Sequence, residues 1–155
     1  VEFQIIGRGI TYAQDHTLAK ELELQNVRFL DFVPYETLAD YMALADVCLG
    51  IFGENERMLR VTTNKVIESI AMAKPLITGE NAPVQELLTH GQSVYFVERA
   101  NPQQLADAIL ELKNNKEMRE KIAKGGYSVF QKNCTLEKLG CGFKDIILEM
   151  SGNAN

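Results

Sequence analysis

Apolar positions follow two rhythms along this chain. Short β-rich runs at residues 1–6, 27–30, 46–51, 75–78 and 93–97 alternate with longer stretches in which apolar residues return at helical spacing, at about 13–24, 35–44, 63–73 and 82–89. Strands that run the same way cannot be joined by a tight hairpin, so helix-length connections between short strands predict a parallel sheet. The pattern therefore predicts an α/β fold, a Rossmann-like parallel sheet flanked by helices. Beyond the last run the rhythm is wholly helical. Leu105, Ala108, Ile109 and Leu112 make one stripe, and a charged helix runs from Lys116 to about Lys132. Leu139, Phe143, Ile146, Ile147 and Met150 share a face of a last helix from Thr135 to Met150, so the fold ends in a helical tail.

Local punctuation supports these boundaries. Pro34 ends the second strand, Pro75 opens the fourth, and Pro83 and Pro102 sit in the first turns of their helices, with Asn101 as an N-cap. Gly125-Gly126 either splits the charged helix or is tolerated inside it. No linker or repeat interrupts residues 1–150, which are expected to form one compact domain, and the polar residues 151–155 are expected to fray.

Composition narrows the class. With 155 residues, 46% hydrophobic and 24% charged, the chain has the profile of a soluble globular domain that buries its own core. A net charge of -5 excludes a domain that holds nucleic acid through its overall field. Cys48, Cys134 and Cys141 form no CxxC pair or secreted pattern, and His16 and His90 have no metal-binding neighbours, so no metal is expected and the setting expected is cytoplasmic. There is no apolar run of membrane-spanning length. The chain opens in a strand with no initiator Met, which predicts that it is cut from something longer.

Parallel sheets bind ligands at the carboxyl ends of their strands, where loops and helix N-termini converge. Three such places carry suggestive residues. Gly7-Arg8-Gly9 follows the first strand, and its glycines suit close backbone approach to a ligand; Tyr12 spoils a dinucleotide fingerprint, and two glycines in an ordinary turn account for the motif as well. After the third strand, Gly50 to Glu54 leads through Arg57 and Arg60 to the helix that begins near Thr63. Fixed positive charge ahead of unpaired helix N–H groups is what a diphosphate needs. A single loop arginine is nevertheless more often solvated, and Thr62 or Thr63 equally suits a simple cap. Glu68, one helical turn further on, suits a ribose diol through its two carboxylate oxygens, although a helical glutamate more often pairs with a nearby lysine.

These pieces, taken in order, resemble the C-terminal domain of the retaining, GT-B-fold glycosyltransferases of glycogen-synthase and sucrose-synthase type (family four, group 1). The resemblance runs through Gly7-Arg8-Gly9, Val27 to Pro34, Leu38 to Val47, Asn64 to Ile77, Gln85 to Leu88 with Gly91, and Gln104 to Ile109, nearly the whole chain. It implies one half of a GT-B fold that holds a nucleotide-sugar donor such as a UDP- or GDP-sugar, with no further cofactor. Glu68 matches the second glutamate of the family's Glu-x7-Glu motif, which is implied to bind the ribose hydroxyls; Arg60 stands where the first would be, so the site is a variant one. The backbone at Val33 is implied to meet the base, and Thr62, Thr63, Asn64 and Lys65 the diphosphate, with Gly7 and Gly9 lining the same cleft. Arg57, Arg60 and Lys65 become the candidates for stabilising charge on the departing phosphate.

The family's preceding strand and helix, its phosphate-clamping Arg and Lys, and its acceptor-binding N-terminal domain would all lie before Val1. The acceptor, a glycan or a lipid-linked molecule, would reach the longer protein at the membrane surface, and this chain alone is expected to bind donor without completing transfer. Two other readings stand beside this one: a nucleotide-sugar 2-epimerase of the same architecture, and a non-catalytic α/β binding module.

Overall fold

The computed structural model describes residues 1–152, and every strand ladder in it is parallel. β1 (Phe3–Ile6) pairs with β2 (Val27–Leu30), Phe3 opposite Val27 and Ile6 opposite Leu30. A second sheet has the order β3 (Cys48–Leu49), β4 (Leu76–Gly79), β5 (Tyr95–Val97). Helices connect successive strands: α1 (Tyr12–Glu21), α2 (Tyr35–Leu44), α4 (Asn64–Ala71) and α5 (Ala82–Leu87), with the one-turn α3 (Glu56–Leu59) ahead of α4. α6 (Pro102–Asn114), α7 (Lys116–Asn133) and α8 (Leu136–Gly152) follow, which completes the α/β class with C-terminal helices that the sequence predicts.

The chain divides into two compact units, Val1–Tyr41 and the remainder from Met42, where the sequence pattern predicts one. Burial gives the reason: the fully buried residues all lie in the second unit, and the first consists of exposed and half-buried positions only. All four residues of β4 are buried, and successive side chains feed opposite sides as strand geometry requires. Leu76 joins Val66, Ile70, Val84, Leu88 and Val94, whereas Ile77 joins Val97, Ala108, Leu112 and Ile122.

Three details differ from the sequence reading, and a fourth decides between two alternatives it left open. The third strand shortens to Cys48–Leu49, although Gly50 N–H still donates to the Ile77 carbonyl at 2.8 Å. A Cβ at Gly50 would stand 2.4 Å from Thr78 Oγ1, so only glycine lets the chain run this close to β4. α3 is a helix inside the expected loop, capped by Asn55, whose side chain accepts from Met58 N–H at 3.0 Å. Gly125-Gly126 does not split α7. A Cβ on Gly125 would lie 2.0 Å from the Gln92 carbonyl oxygen, and one on Gly126 would lie 2.9 Å from Ile70 Cγ2; the pair lets an unbroken helix press against a loop and against α4. Finally, α8 continues through Gly152, two residues into the polar tail, while 153–155 fall outside the described residues.

Candidate functional site

Leaving β3, the chain lies across the carboxyl ends of β4 and β5. Ile51 N–H donates to Thr78 Oγ1 (3.3 Å), Gly79 N–H to the Ile51 carbonyl (3.0 Å), and Ala100 N–H to the Phe52 carbonyl (3.0 Å). Ala100 adopts φ +50, a left-handed conformation that costs a non-glycine residue about 1–2 kcal/mol. Segment 50–53 thus continues the sheet's hydrogen bonding beyond its last strand residues.

α3 then carries Arg57, with Arg60 at its C-cap. Both are exposed, and Arg60 lies 3.3 Å from Glu56 in an i,i+4 pair whose side chains are 76% and 86% accessible. A pair that open to solvent is worth little and yields readily to a better anion. One residue past Arg60 the chain enters the start of α4 through Val61, Thr62 and Thr63.

The N-terminus of α4 is open and electropositive. Val66 and Ile67 N–H groups turn back to the Thr63 carbonyl (3.0 and 3.4 Å), and the N–H groups of Asn64 and Lys65 ahead of them are those a helix start cannot satisfy internally. Asn64 and Lys65 are exposed, and no acidic residue occupies the first turn. Thr63 stands at the N-cap position, yet its hydroxyl makes no cap bond; Oγ1 is buried with no hydrogen-bond partner. A buried polar atom left in that state costs about 1–3 kcal/mol, so Thr63 is not the simple cap that its residue type suggests. Beside the loop, an open hollow of about 450 Å³ is lined by Thr62, Ile67, Pro83, Glu86, Leu87 and Asn133.

Glu68 is half-buried on α4, one turn beyond Asn64. The buried face of the helix is Val66, Ser69 and Ile70, and Ile67 and Ala71 beside it are half-buried. Ser69 enters the core at little cost because its hydroxyl donates to the Lys65 carbonyl at 2.6 Å, within its own helix. Glu68 lies on the opposite side of the helix from Val66 and Ile70, as the sequence spacing requires.

Two residues that the sequence does not advertise hold this region together. Asn81 caps α5 by accepting from Val84 N–H (3.0 Å), while its amide nitrogen donates to the carbonyls of Met58 (2.8 Å) and Val61 (3.0 Å). Arg99, only 9% exposed, donates from Nε to the Glu80 carbonyl (2.7 Å), from Nη1 to Gly53 (2.5 Å), and from Nη2 to Met58 and Gly79 (3.4 Å each). Among the described residues no carboxylate pairs with it. Burial pushes its guanidinium below the ordinary arginine range. An asparagine ahead of Ala82-Pro83 is legible as a cap, but its second role and the whole of Arg99's depend on carbonyls from distant segments.

In the first unit, Gly7 has φ +100, which requires glycine, and its N–H donates to the Leu30 carbonyl at 3.1 Å. Gly9 has open space around the position of a Cβ, so its turn does not demand glycine for packing. Val33 is half-buried. Arg8 between the two glycines pairs with Asp31 at 2.8 Å and lies 5.4 Å from the centre of the Tyr12 ring. A hollow of about 430 Å³ lined by His16, Lys20 and Phe29, among others, carries none of the residues assigned to the donor from the sequence.

The model of the family described as "Glycosyl transferases group 1" matches residues 1–115. Among curated relatives, an uncharacterized glycosyltransferase of Methanocaldococcus jannaschii is 26% identical over 149 residues, covering 96% of this chain and 41% of the relative. The amylovoran biosynthesis glycosyltransferase AmsK of Erwinia amylovora is 27% identical over 114 residues, 72% of this chain and 28% of its own. The chain therefore spans less than half the length of the relatives it matches. Among solved structures, Anabaena HepE in complex with UDP-glucose superposes with a TM-score of 0.82 at 18% identity over 96% of this chain and 41% of that one. Sucrose-phosphate synthase of Thermosynechococcus elongatus gives 0.80 at 18% identity, over 97% and 39%. These likenesses show the shared fold. Among the described residues, no helix is long and apolar enough to cross a membrane.

Proposed function

The chain belongs to the glycosyl transferases group 1 family, and from that premise we propose that it is the donor-binding part of a family-four glycosyltransferase that moves a sugar from a nucleotide-sugar to an acceptor with retention of anomeric configuration. The observation that carries this reading is the start of α4: exposed residues Asn64 and Lys65, no acid in the first turn, a buried Thr63 hydroxyl without a partner, and Arg57 and Arg60 just ahead. That is the chemistry a pyrophosphate needs, since dipole, donors and mobile cations all favour concentrated negative charge.

When the bond from the anomeric carbon to the phosphate oxygen breaks, negative charge grows on the leaving nucleoside diphosphate. Arg57, Arg60 and Lys65 are assigned to stabilise it, and the α4 N–H groups and Thr63 to hold it. Glu68 is assigned to accept from the ribose hydroxyls. Because HepE was solved with UDP-glucose, UDP and its sugars are the first donors to test; this is an argument from fold analogy. The relative named for amylovoran biosynthesis supports a glycan as acceptor in the longer protein, and a lipid-linked acceptor is the other class this reading admits. This chain alone then binds donor and turns none over, with no cofactor besides the donor.

Calorimetric titration with UDP, UDP-glucose and GDP tests the reading. Saturable heat that Glu68→Ala weakens is expected. Absence of heat with every nucleotide at millimolar concentration overturns it.

A further inference from the structure

We infer that Arg99 is a positioning residue for the donor site: a buried guanidinium that fixes the course of the arginine-bearing loop by bonding carbonyls on both sides of it, and so sets the selectivity for a diphosphate. The inference rests on the donor-binding reading above, and it concerns a residue that contacts no ligand in that reading.

The geometry is specific to a guanidinium. Its donors reach Gly53 and Met58 in the loop and Gly79 and Glu80 at the end of β4, four carbonyls drawn from two segments. A planar fork of five N–H groups can satisfy that spread, whereas a lysine ammonium on a flexible stem cannot. The fold makes room for it. A Cβ at Gly79 would stand 2.8 Å from Arg99 Cγ and 2.8 Å from the Ile51 carbonyl oxygen, so glycine there lets the arginine stem pass over the strand end. The next residue, Ala100, completes the junction by donating to the Phe52 carbonyl.

A buried cation with no carboxylate partner is an expensive way to hold a loop, because carbonyl dipoles replace its lost hydration only in part. A hydrophobic residue would avoid that cost but would leave four carbonyls without this donor. What the arginine supplies that a hydrophobic side chain does not is directional hold on Gly53 and Met58, which flank Arg57 and lie ahead of Arg60. It also places a fixed positive charge behind a site assigned to an anion. Loosening the loop should therefore weaken contacts to the second phosphate and leave those to the nucleoside and first phosphate in place.

The experiment compares UDP and UMP binding to the 155-residue chain, wild type against Arg99→Lys and Arg99→Met, with amide hydrogen exchange of residues 50–61 recorded on the same samples. Wild type is expected to prefer UDP, and Arg99→Lys to lose about tenfold of that preference while its UMP affinity stays within about twofold. Its loop amides should exchange faster while those of α7 keep their protection. A general loss of folding would lower both affinities and both sets of protection together. If Arg99→Met does not fold, Arg99→Gln, which keeps a side-chain N–H donor at the same position, is measured in its place. Wild-type protein that binds neither nucleotide overturns the donor-binding reading, and the exchange data then decide on Arg99 as a loop anchor. A folded Arg99→Lys with unchanged UDP-to-UMP ratio and unchanged loop exchange overturns the positioning role.

Discussion

Asn81 and Arg99 donate to the same oxygen: Nδ2 of the first lies 2.8 Å and Nη2 of the second 3.4 Å from the carbonyl oxygen of Met58. A carbonyl has two lone pairs, and here both are used by buried side chains from β4–α5 and β5–α6 junctions. Asn81→Ala removes an N-cap, takes the donor from the Val61 carbonyl and leaves Met58 only the longer Arg99 bond, so a loss of about 2–4 kcal/mol is expected in urea denaturation. Asn81→Asp separates the two roles. It keeps an acceptor for Val84 N–H but sets a carboxylate against two carbonyls, and it should lose as much as the alanine variant. A loss small enough to be a cap alone would contradict the shared anchor.

What could be read from the sequence was what depends on neighbours along the chain. Pro83, Pro102 and Asn101 mark helix starts because their effect is local, and Asn101 does accept from Gln104 N–H at 3.0 Å. The parallel α/β order followed from run lengths alone. Arg99 was illegible because none of its four acceptors is near it in sequence, and α3 was missed although Asn55-Glu56 is a fair helix start. The stretch from Arg57 to Lys65 stands out in the sequence as a group because it is contiguous, and its phosphate role is the proposal made above. The second unit's anchors for it were not legible.

Glycine in a helix has opposite values at two places. At Gly125 an added Cβ would meet the Gln92 backbone at 2.0 Å, and backbone does not move aside cheaply. Gly125→Ala should therefore cost about 2–3 kcal/mol in thermal melts. Gly140 in α8 has nothing within 4 Å, and Gly140→Ala should raise helix stability by about 0.5–1 kcal/mol, read as helicity by circular dichroism.

Ala73 sits just beyond the α4 C-cap Met72 with φ +51, and its N–H and that of Lys74 return to the carbonyls of Ile70 and Ser69 (3.1 and 3.0 Å). This is the closing turn in which glycine is favoured, because a Cβ is strained there. Ala73→Gly should stabilise the chain by about 0.5–1 kcal/mol after its greater unfolded-state entropy is counted. A lower melting temperature would contradict the assignment.

Tyr95 donates to Glu111 at 2.6 Å, and that hydrogen bond, with burial and the carboxylate's charge, raises the phenol from 10.0 to about 12. The unfolded chain gives up this proton first, so the contribution is fully present below the ordinary tyrosine value and is lost as pH rises from there through about 12. Absorbance titration should show one late tyrosine, and Glu111→Gln should bring it back toward its ordinary value. A titration that Glu111→Gln leaves unchanged would remove the pair as the cause.

Thr63 offers the sharpest separation of stability from binding. Its buried Oγ1 has no partner and its side chain caps nothing, so the hydroxyl contributes only a desolvation cost to the folded chain. Thr63→Val keeps the shape and removes that cost, and should leave the chain as stable as before or more stable by up to about 1 kcal/mol. If the hydroxyl is there to donate to a phosphate oxygen, the same variant should bind UDP about three- to tenfold more weakly, while Thr63→Ser stays near wild type. Stability gained and affinity lost in one substitution is the pattern of a group retained for a ligand. A valine variant that is less stable and binds UDP normally would make Thr63 a structural residue and move the diphosphate away from the start of α4.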